Sequence, residues 1–205
     1  MQMTSPTLYN TVLLFGPPGA GKGTWGKILG MMPGFYHLST GEMFRKMDTE
    51  SELGIKVMEF MRRGELVPDN IVFNLWTQHM QTAVLIGSFK PQRDILILDG
   101  FPRTPHQAQT LKNVASVKAI LLLHCPDLEI LIRRLHRRAV LENRHDDASE
   151  PLIRQRLVVF EREMHKTLAA LPQELIETID VSQAPVHILA AISAVLKQRL
   201  PVAPA

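Results

Sequence analysis

The chain reads as α/β, a parallel five-stranded sheet flanked by helices, and three observations lead there. Largely apolar runs without alternation recur at 11–15, 94–98 and 119–123, the pattern of strands buried on both faces. Between them lie stretches with apolar residues at helical spacing, so strands and helices alternate along the chain. The first run ends in Gly16-Pro17-Pro18-Gly19-Ala20-Gly21-Lys22-Gly23-Thr24, a glycine-rich turn between strand and helix that cradles phosphate.

Each element has its own signal. The helix after the turn runs through Ile28 and Leu29, and Phe35-Tyr36-His37-Leu38 forms a short second strand. Ser39 or Thr40 caps a helix through Phe44 and Arg45. Leu53, Val57, Phe60 and Met61 repeat at helical spacing over 51–63, where Gly64 stops the helix. Leu66-Val67-Pro68-Asp69 is a turn, and a longer helix covers 70–84. A loop at 87–93 with Pro91 leads to the strand at 94–98, which ends in Asp99-Gly100-Phe101-Pro102-Arg103. Helix 105–113, strand 119–123 and a helix from Pro126 and Asp127 to about 141 follow. Helix 151–171, strand 174–181 and helix 185–200 close the chain, with a frayed tail at 201–205. The helical pieces at 38–72 break the strand–helix rhythm and predict a small inserted lobe.

With 205 residues, 45% hydrophobic and 21% charged, the composition suits one globular domain. The single Cys125 excludes an internal disulfide framework and a multi-cysteine zinc site. Together with a start lacking a charged, apolar signal segment, it predicts a reducing cytoplasm. No stretch approaches the ~20 apolar residues that span a bilayer, so a soluble protein without membrane contact is expected. The net charge of +3 is mild, yet Arg133, Arg134, Arg137, Arg138, Arg144, Arg154 and Arg156 fall close together. That clustering predicts a polyanion, either nucleic acid or the phosphates of a nucleotide.

The chemistry converges on the carboxyl ends of the strands, where open α/β sheets bind ligands. Glycines let the turn curl tightly and offer its N–H groups to phosphate oxygens. The helix N-terminus adds partial positive charge and Lys22 a full one. Gly23 stands where most such loops carry a magnesium-touching hydroxyl, which comes one residue later at Thr24. Asp99 closes an apolar strand and can hold magnesium directly or through water. Arg103 follows a proline that restrains the backbone, so its planar fork can be aimed at a phosphate. Thr40 and Arg45 supply a hydroxyl and a second arginine. His37, His124, His136 and His145 lack ligand spacing and read as core or solvated. Cys125 reads as a small buried residue at a strand end.

Gly-x-Pro-Gly-x-Gly-Lys-Gly-Thr resembles the phosphate loop of the adenylate kinase family. The family's Ser-Thr-Gly-Asp-x-x-Arg is matched at 39–45 with Glu42 for Asp. Gly64-Glu65-Leu66-Val67-Pro68-Asp69 looks like its monophosphate-lobe hinge. Asp99-Gly100-Phe101-Pro102-Arg103-Thr104 looks like its next strongest signature, and Gln107 falls at the spacing of its adenine-reading glutamine.

The resemblance implies a P-loop NTPase-type domain over 1–205, with core 8–37, 73–138 and 148–200. A helical nucleoside-monophosphate lobe would occupy 38–72 and a short lid 139–147, since five residues separate Arg138 from Arg144. It implies ATP held by Gly19, Ala20, Gly21, Lys22, Gly23 and Thr24, with Arg134 and Arg138. AMP would lie against Thr40, Arg45, Glu65, Leu66, Val67, Gly100, Phe101, Arg103 and Gln107, with Arg144 and Arg156 approaching the moving phosphoryl group. Lys22, Arg103, Arg134, Arg144 and Arg156 would be catalytic. Magnesium would be held by Asp99 through water, with Thr24 as a second candidate, and no zinc is implied.

Arg133 and Arg137 compete with Arg134 and Arg138 for the family's Arg-x-x-x-Arg pair, and with Arg154 they otherwise read as a solvated face. Trp25 departs from the family's polar residue and reads as packing beside the loop. The family's Thr-x-Pro-Leu is not recognisable at 164–168, and the ATP-adenine contact falls near 183–186. The implied reaction is magnesium-dependent, ATP + AMP ⇌ 2 ADP, by a monomer. The neighbouring reading is a UMP/CMP kinase, whose usual Ala is Thr40 here, with a shikimate- or gluconate-type kinase further off. From another class come a nucleic-acid-binding P-loop protein and a nucleotide sensor without turnover. The mild net charge and the lack of aromatics near the arginines weigh against the former.

Overall fold

The computed structural model describes residues 8–142, 144, 147 and 149–200. The expectations for the N-terminal start, for His145 and the middle of the lid, and for the tail at 201–205 lie outside these residues.

Five strands form one all-parallel sheet: β1 (Tyr9–Phe15), β2 (Phe35–Ser39), β3 (Ile95–Asp99), β4 (Ala115–His124) and β5 (Ile176–Asp180). Their order is β2-β3-β1-β4-β5. The continuous apolar runs are explained by burial on both faces. Val12 and Leu14 of β1, Ile97 of β3 and Leu121 and Leu123 of β4 face one core. Leu13 and Phe15, Leu96 and Leu98, and Ile120 face the other. Alternation is present in the pleat, but both sides are apolar.

Among the described residues, eight helices accompany the strands: α1 (Lys22–Gly30), α2 (Thr40–Arg45), α3 (Glu52–Arg62), α4 (Asp69–Leu85), α5 (Pro105–Leu111), α6 (Leu128–Glu142), α7 (Glu150–Ala169) and α8 (Pro185–Arg199). Side chains from α1, α6 and α8 build the first core, and those from α4 and α5 the second. Helix α7 belongs to both, giving Ile153 and Leu157 to the first and Phe160, Met164 and Leu168 to the second. The caps follow their chemistry: Ser39 accepts from the Glu42 N–H, Ser51 from Gly54 and Thr104 from Gln107.

Two boundaries differ from expectation. β4 begins at Ala115 rather than 119, because Tyr9 pairs with Ala115 and donates its N–H to Val114, with a register shift at Thr11/Val12. Ser116 and Lys118 hide this from an apolar scan. β5 starts at Ile176, since 173–175 form a 3-10 turn after Pro172. No helix among the described residues is long and apolar enough to cross a membrane.

Helix α1 sits directly on β2 through two glycines one turn apart. A Cβ on Gly30 would stand 2.7 Å from His37 Cβ, and one on Gly26 would overlap the His37 ring. The His37 Nε2 is buried without a hydrogen-bond partner, and burial lowers the pKa of the ring. His37 is thus a neutral packing residue behind the phosphate loop.

Candidate functional site

The strand order reverses at β1, which lies between β3 and β4. The crevice at such a switch point is where α/β sheets take ligands. Here it opens into a cleft of about 770 Å³. Gly19 to Thr24 line one part of it. Thr40, Arg45, Glu65, Leu66, Val67, Gly100, Arg103 and Gln107 line it as well, as do Arg134, Arg138, Arg144 and Arg156.

The loop after β1 takes its shape from Gly16, Gly19 and Gly21, all at positive φ. A Cβ on Gly19 would lie 2.8 Å from the Leu131 carbonyl oxygen, so the loop packs onto α6 as only glycine allows. Lys22 opens α1, and its ammonium donates to the Gly16 carbonyl at 2.7 Å and the Pro17 carbonyl at 2.9 Å. Burial pushes its pKa down to about 7. Asp99 opposes that shift, while Arg103, Arg138 and Arg156 reinforce it.

This has a consequence for binding. With its pKa near neutrality, Lys22 is only partly protonated in the free site around pH 7, and a bound phosphate favours its charged form. Nucleotide binding should therefore take up a proton. Affinity should fall by up to about tenfold per pH unit above 7 until the bound-state pKa is reached. Calorimetry in two buffers of different ionisation heat should show net proton uptake that grows from pH 7 to pH 8. Equal apparent enthalpies in both buffers would remove the claim. For the fold alone the native state gives up this proton near pH 7 and the unfolded chain near its ordinary 10.5. Lys22 therefore adds stability as pH rises through that window.

Asp99 closes β3 at 6% exposure beside the same loop. A Cβ on Gly23 would sit 3.7 Å from its Oδ2, at ordinary contact distance, so the loop passes directly beside the carboxylate. Thr24 is exposed and also lines the cleft. Magnesium commonly uses one or two carboxylates plus phosphate oxygens and water. Asp99 with Thr24 fits that pattern. No group of three His, Cys, Asp or Glu side chains suited to a metal is found among the described residues.

Thr40 is 1% exposed and donates its hydroxyl to the Gly100 carbonyl at 2.8 Å, so α2 is tied to the turn after β3. Arg103 Nε donates to the same carbonyl at 2.8 Å. The peptide between Phe101 and Pro102 is cis. Phe101 itself does not line the cleft. Its ring lies in the second core, stacked on Trp76 with centroids 6.0 Å apart, because an apolar side chain at this turn is better buried than wet. Phe101, expected among the AMP-binding residues, thus turns its ring to the core. Glu65 is exposed and paired with Arg63 at 3.0 Å.

The arginines of α6 differ in exposure. Arg133 faces solvent, whereas Arg134 and Arg138 turn inward, and exposed Arg137 borders the cleft. Arg134 donates to the Val181 carbonyl at 2.8 Å. Arg138 donates twice to Asp147 Oδ2, at 2.8 and 2.6 Å, and Arg156 bonds Asp147 Oδ1. Asp147 is 0% exposed. One buried carboxylate thus holds two arginines on the wall of the cleft. Arg144 lines the cleft and pairs with Glu142 at 2.6 Å. Arg154 stays outside, paired with Glu150.

Trp25 is buried in the first core beside the loop, as its apolar bulk predicts. Gln183 and Pro185 also line the cleft. Sequence reading missed Asp147 as the arginine clamp, and it missed Phe160 and Met164 of α7. The latter were detectable: Arg156, Phe160 and Met164 are four apart and share one helix face, and all three line the cleft.

A family model described as adenylate kinase matches residues 14–174. The adenylate kinase of Thermus thermophilus is 36% identical over 193 residues, 90% of this chain and 96% of that protein. That of Thermobifida fusca is 40% identical over 176 residues, covering 82% and 88%. That of a Cyanothece species is 34% identical over 194 residues, covering 91% and 95%. With the phosphate loop, the buried Asp99 and the arginine-ringed cleft on one parallel sheet, the chain belongs to the adenylate kinase family.

Proposed function

We propose that this chain transfers the terminal phosphoryl group of ATP to AMP, reversibly and with magnesium, yielding two ADP. The observation carrying this reading is the gathering of Lys22, Asp99, Arg103, Arg138 and Arg156 around one cleft, with Gln107 also on its wall.

The phosphate of AMP is already an ionised nucleophile, so no strong general base is needed. Catalysis comes from alignment and from neutralising charge on the moving group. The loop amides and Lys22 hold the triphosphate. Arg45 and Arg103 hold the monophosphate, and Arg134, Arg138, Arg144 and Arg156 cover the oxygens between them. Asp99 and Thr24 would hold magnesium, which would help neutralise charge on the phosphate oxygens. Water is excluded when the 38–72 lobe and the 139–147 lid close over the pair, which prevents loss of ATP to hydrolysis. A bisubstrate dinucleotide should therefore compact the particle in solution scattering. The lone, buried Cys125 suits a reducing cytoplasm, and the chain acts as a monomer.

The direct test is a coupled assay for ADP with ATP, magnesium and each of AMP, CMP, UMP and GMP. AMP is expected to be the best acceptor. Absence of ADP with every acceptor would refute the proposal, and a preference for CMP or UMP would replace it by the pyrimidine reading.

A further inference from the structure

We infer that Asp69 is a positioning residue that decides which purine the monophosphate site accepts, by fixing the orientation of the Gln107 amide. The inference rests on the reading above, in which the base of the monophosphate meets Gln107.

Asp69 is the first residue of α4 and Gln107 lies on α5, 38 positions further on. Gln107 is 3% exposed, yet it lines the cleft. Its Nε2 donates to Asp69 Oδ1 at 2.7 Å, and its Oε1 accepts the Arg103 backbone N–H at 2.7 Å. The two neighbours differ in kind. An ionised carboxylate only accepts, and a backbone N–H only donates. A flipped amide would set oxygen against oxygen at one end and N–H against N–H at the other, so one orientation survives. The carboxylate is itself held, because Thr104 Oγ1 donates to Asp69 Oδ2 at 2.8 Å and His106 Nδ1 lies 3.1 Å from it.

An amide has two N–H donors and two lone pairs on oxygen. These contacts use one of each, leaving one donor and one acceptor in a known order. Adenine offers an amino donor at C6 and an acceptor at N1. Hypoxanthine and guanine offer the reverse, a carbonyl at C6 and a donor at N1. A freely turning glutamine would satisfy either edge. One locked by Asp69 and the Arg103 N–H satisfies a single pattern, and the other purine meets like against like.

Asp69→Asn keeps the shape of the side chain but replaces an obligate acceptor by a group that can also donate, which removes one of the two restraints on the amide and leaves only the Arg103 N–H. In initial-rate assays with AMP and IMP, the ratio of kcat/KM for the two acceptors should narrow by about tenfold or more. The change should lie in the acceptor KM. The KM for ATP and kcat at saturating AMP should stay within about twofold, which a general loosening of the fold would not allow. In a Gln107→Ala background, where no amide is left to orient, Asp69→Asn should leave the ratio unchanged. An unaltered AMP/IMP ratio in the single variant would overturn the inference. So would an equal change with and without Gln107. Calorimetric binding of AMP and IMP separates this from the parent reading. A wild type that turns over no AMP, yet prefers it in binding until Asp69 is replaced, refutes the activity and keeps the positioning role. A wild type with no preference in binding refutes both.

Discussion

Replacing Lys22 by Ala will lower the turnover of ATP with AMP by a factor on the order of several hundred. That corresponds to ~3–4 kcal/mol of lost transition-state stabilisation, the usual effect of deleting one preorganised donor aimed at developing charge. The ammonium is prepositioned by the Gly16 and Pro17 carbonyls, so little reorganisation accompanies its engagement with phosphate. Burial lowers its pKa in the free protein, and Arg103, Arg138 and Arg156, which share the cleft, add to that. A site that raises its own energy by crowding cations relaxes when an anion arrives. For the same reason Lys22→Ala should not unfold the chain, because it removes a charge that burial disfavours. The measurement is single-turnover rate alongside thermal melting. Turnover within about tenfold of wild type would take the role from Lys22.

Asp147→Ala should damage stability and activity together. The wild-type carboxylate is fully enclosed and holds Arg138 and Arg156, and both guanidiniums are themselves largely buried. Burial pulls the Arg138 pKa down, and Asp147 is the main group holding it up. Removing a buried partner while leaving its cations costs about 3–5 kcal/mol. For a chain of this size that should lower Tm by on the order of 10 °C. Both arginines would also leave the positions they hold in the cleft, and turnover should fall by about a hundredfold. Asp147→Asn, which can still accept hydrogen bonds without charge, should lose less on both counts. A melt and an assay matching wild type for Asp147→Ala would show that the arginines are held by something else.

Most of the fold was legible because the physics is local. Val12 to Phe15, Leu96 to Leu98 and Ile120 to Leu123 are apolar on both faces, and a sequence shows that directly. Ser39, Ser51 and Thr104 announce helix starts because their hydroxyls serve N–H groups three residues on. The site was legible where glycines and charges sit in one short stretch. It was hidden where the deciding contact crosses the chain. Asp147 resembles any loop acid until Arg138 and Arg156, each nine positions away, are seen to share it. Asp69 resembles an ordinary first-turn carboxylate until Gln107 arrives from another helix. Phe101 sits within a signature, and only Trp76 beneath it reveals that its ring serves the core. The first four residues of β4 carry Ser116 and Lys118, and their strand state comes from Tyr9 across the sheet.

The glycine pair at Gly26 and Gly30 lets α1 rest on the His37 side chain with no intervening side chain of its own. A helix seated that closely has no slack to slide along its neighbour, since close-packed interiors resist compression. The end of the cleft that grips the triphosphate is therefore an anvil. Under the proposed reaction, any closing travel would fall to the elements on the opposite side, moving onto a surface that stays put.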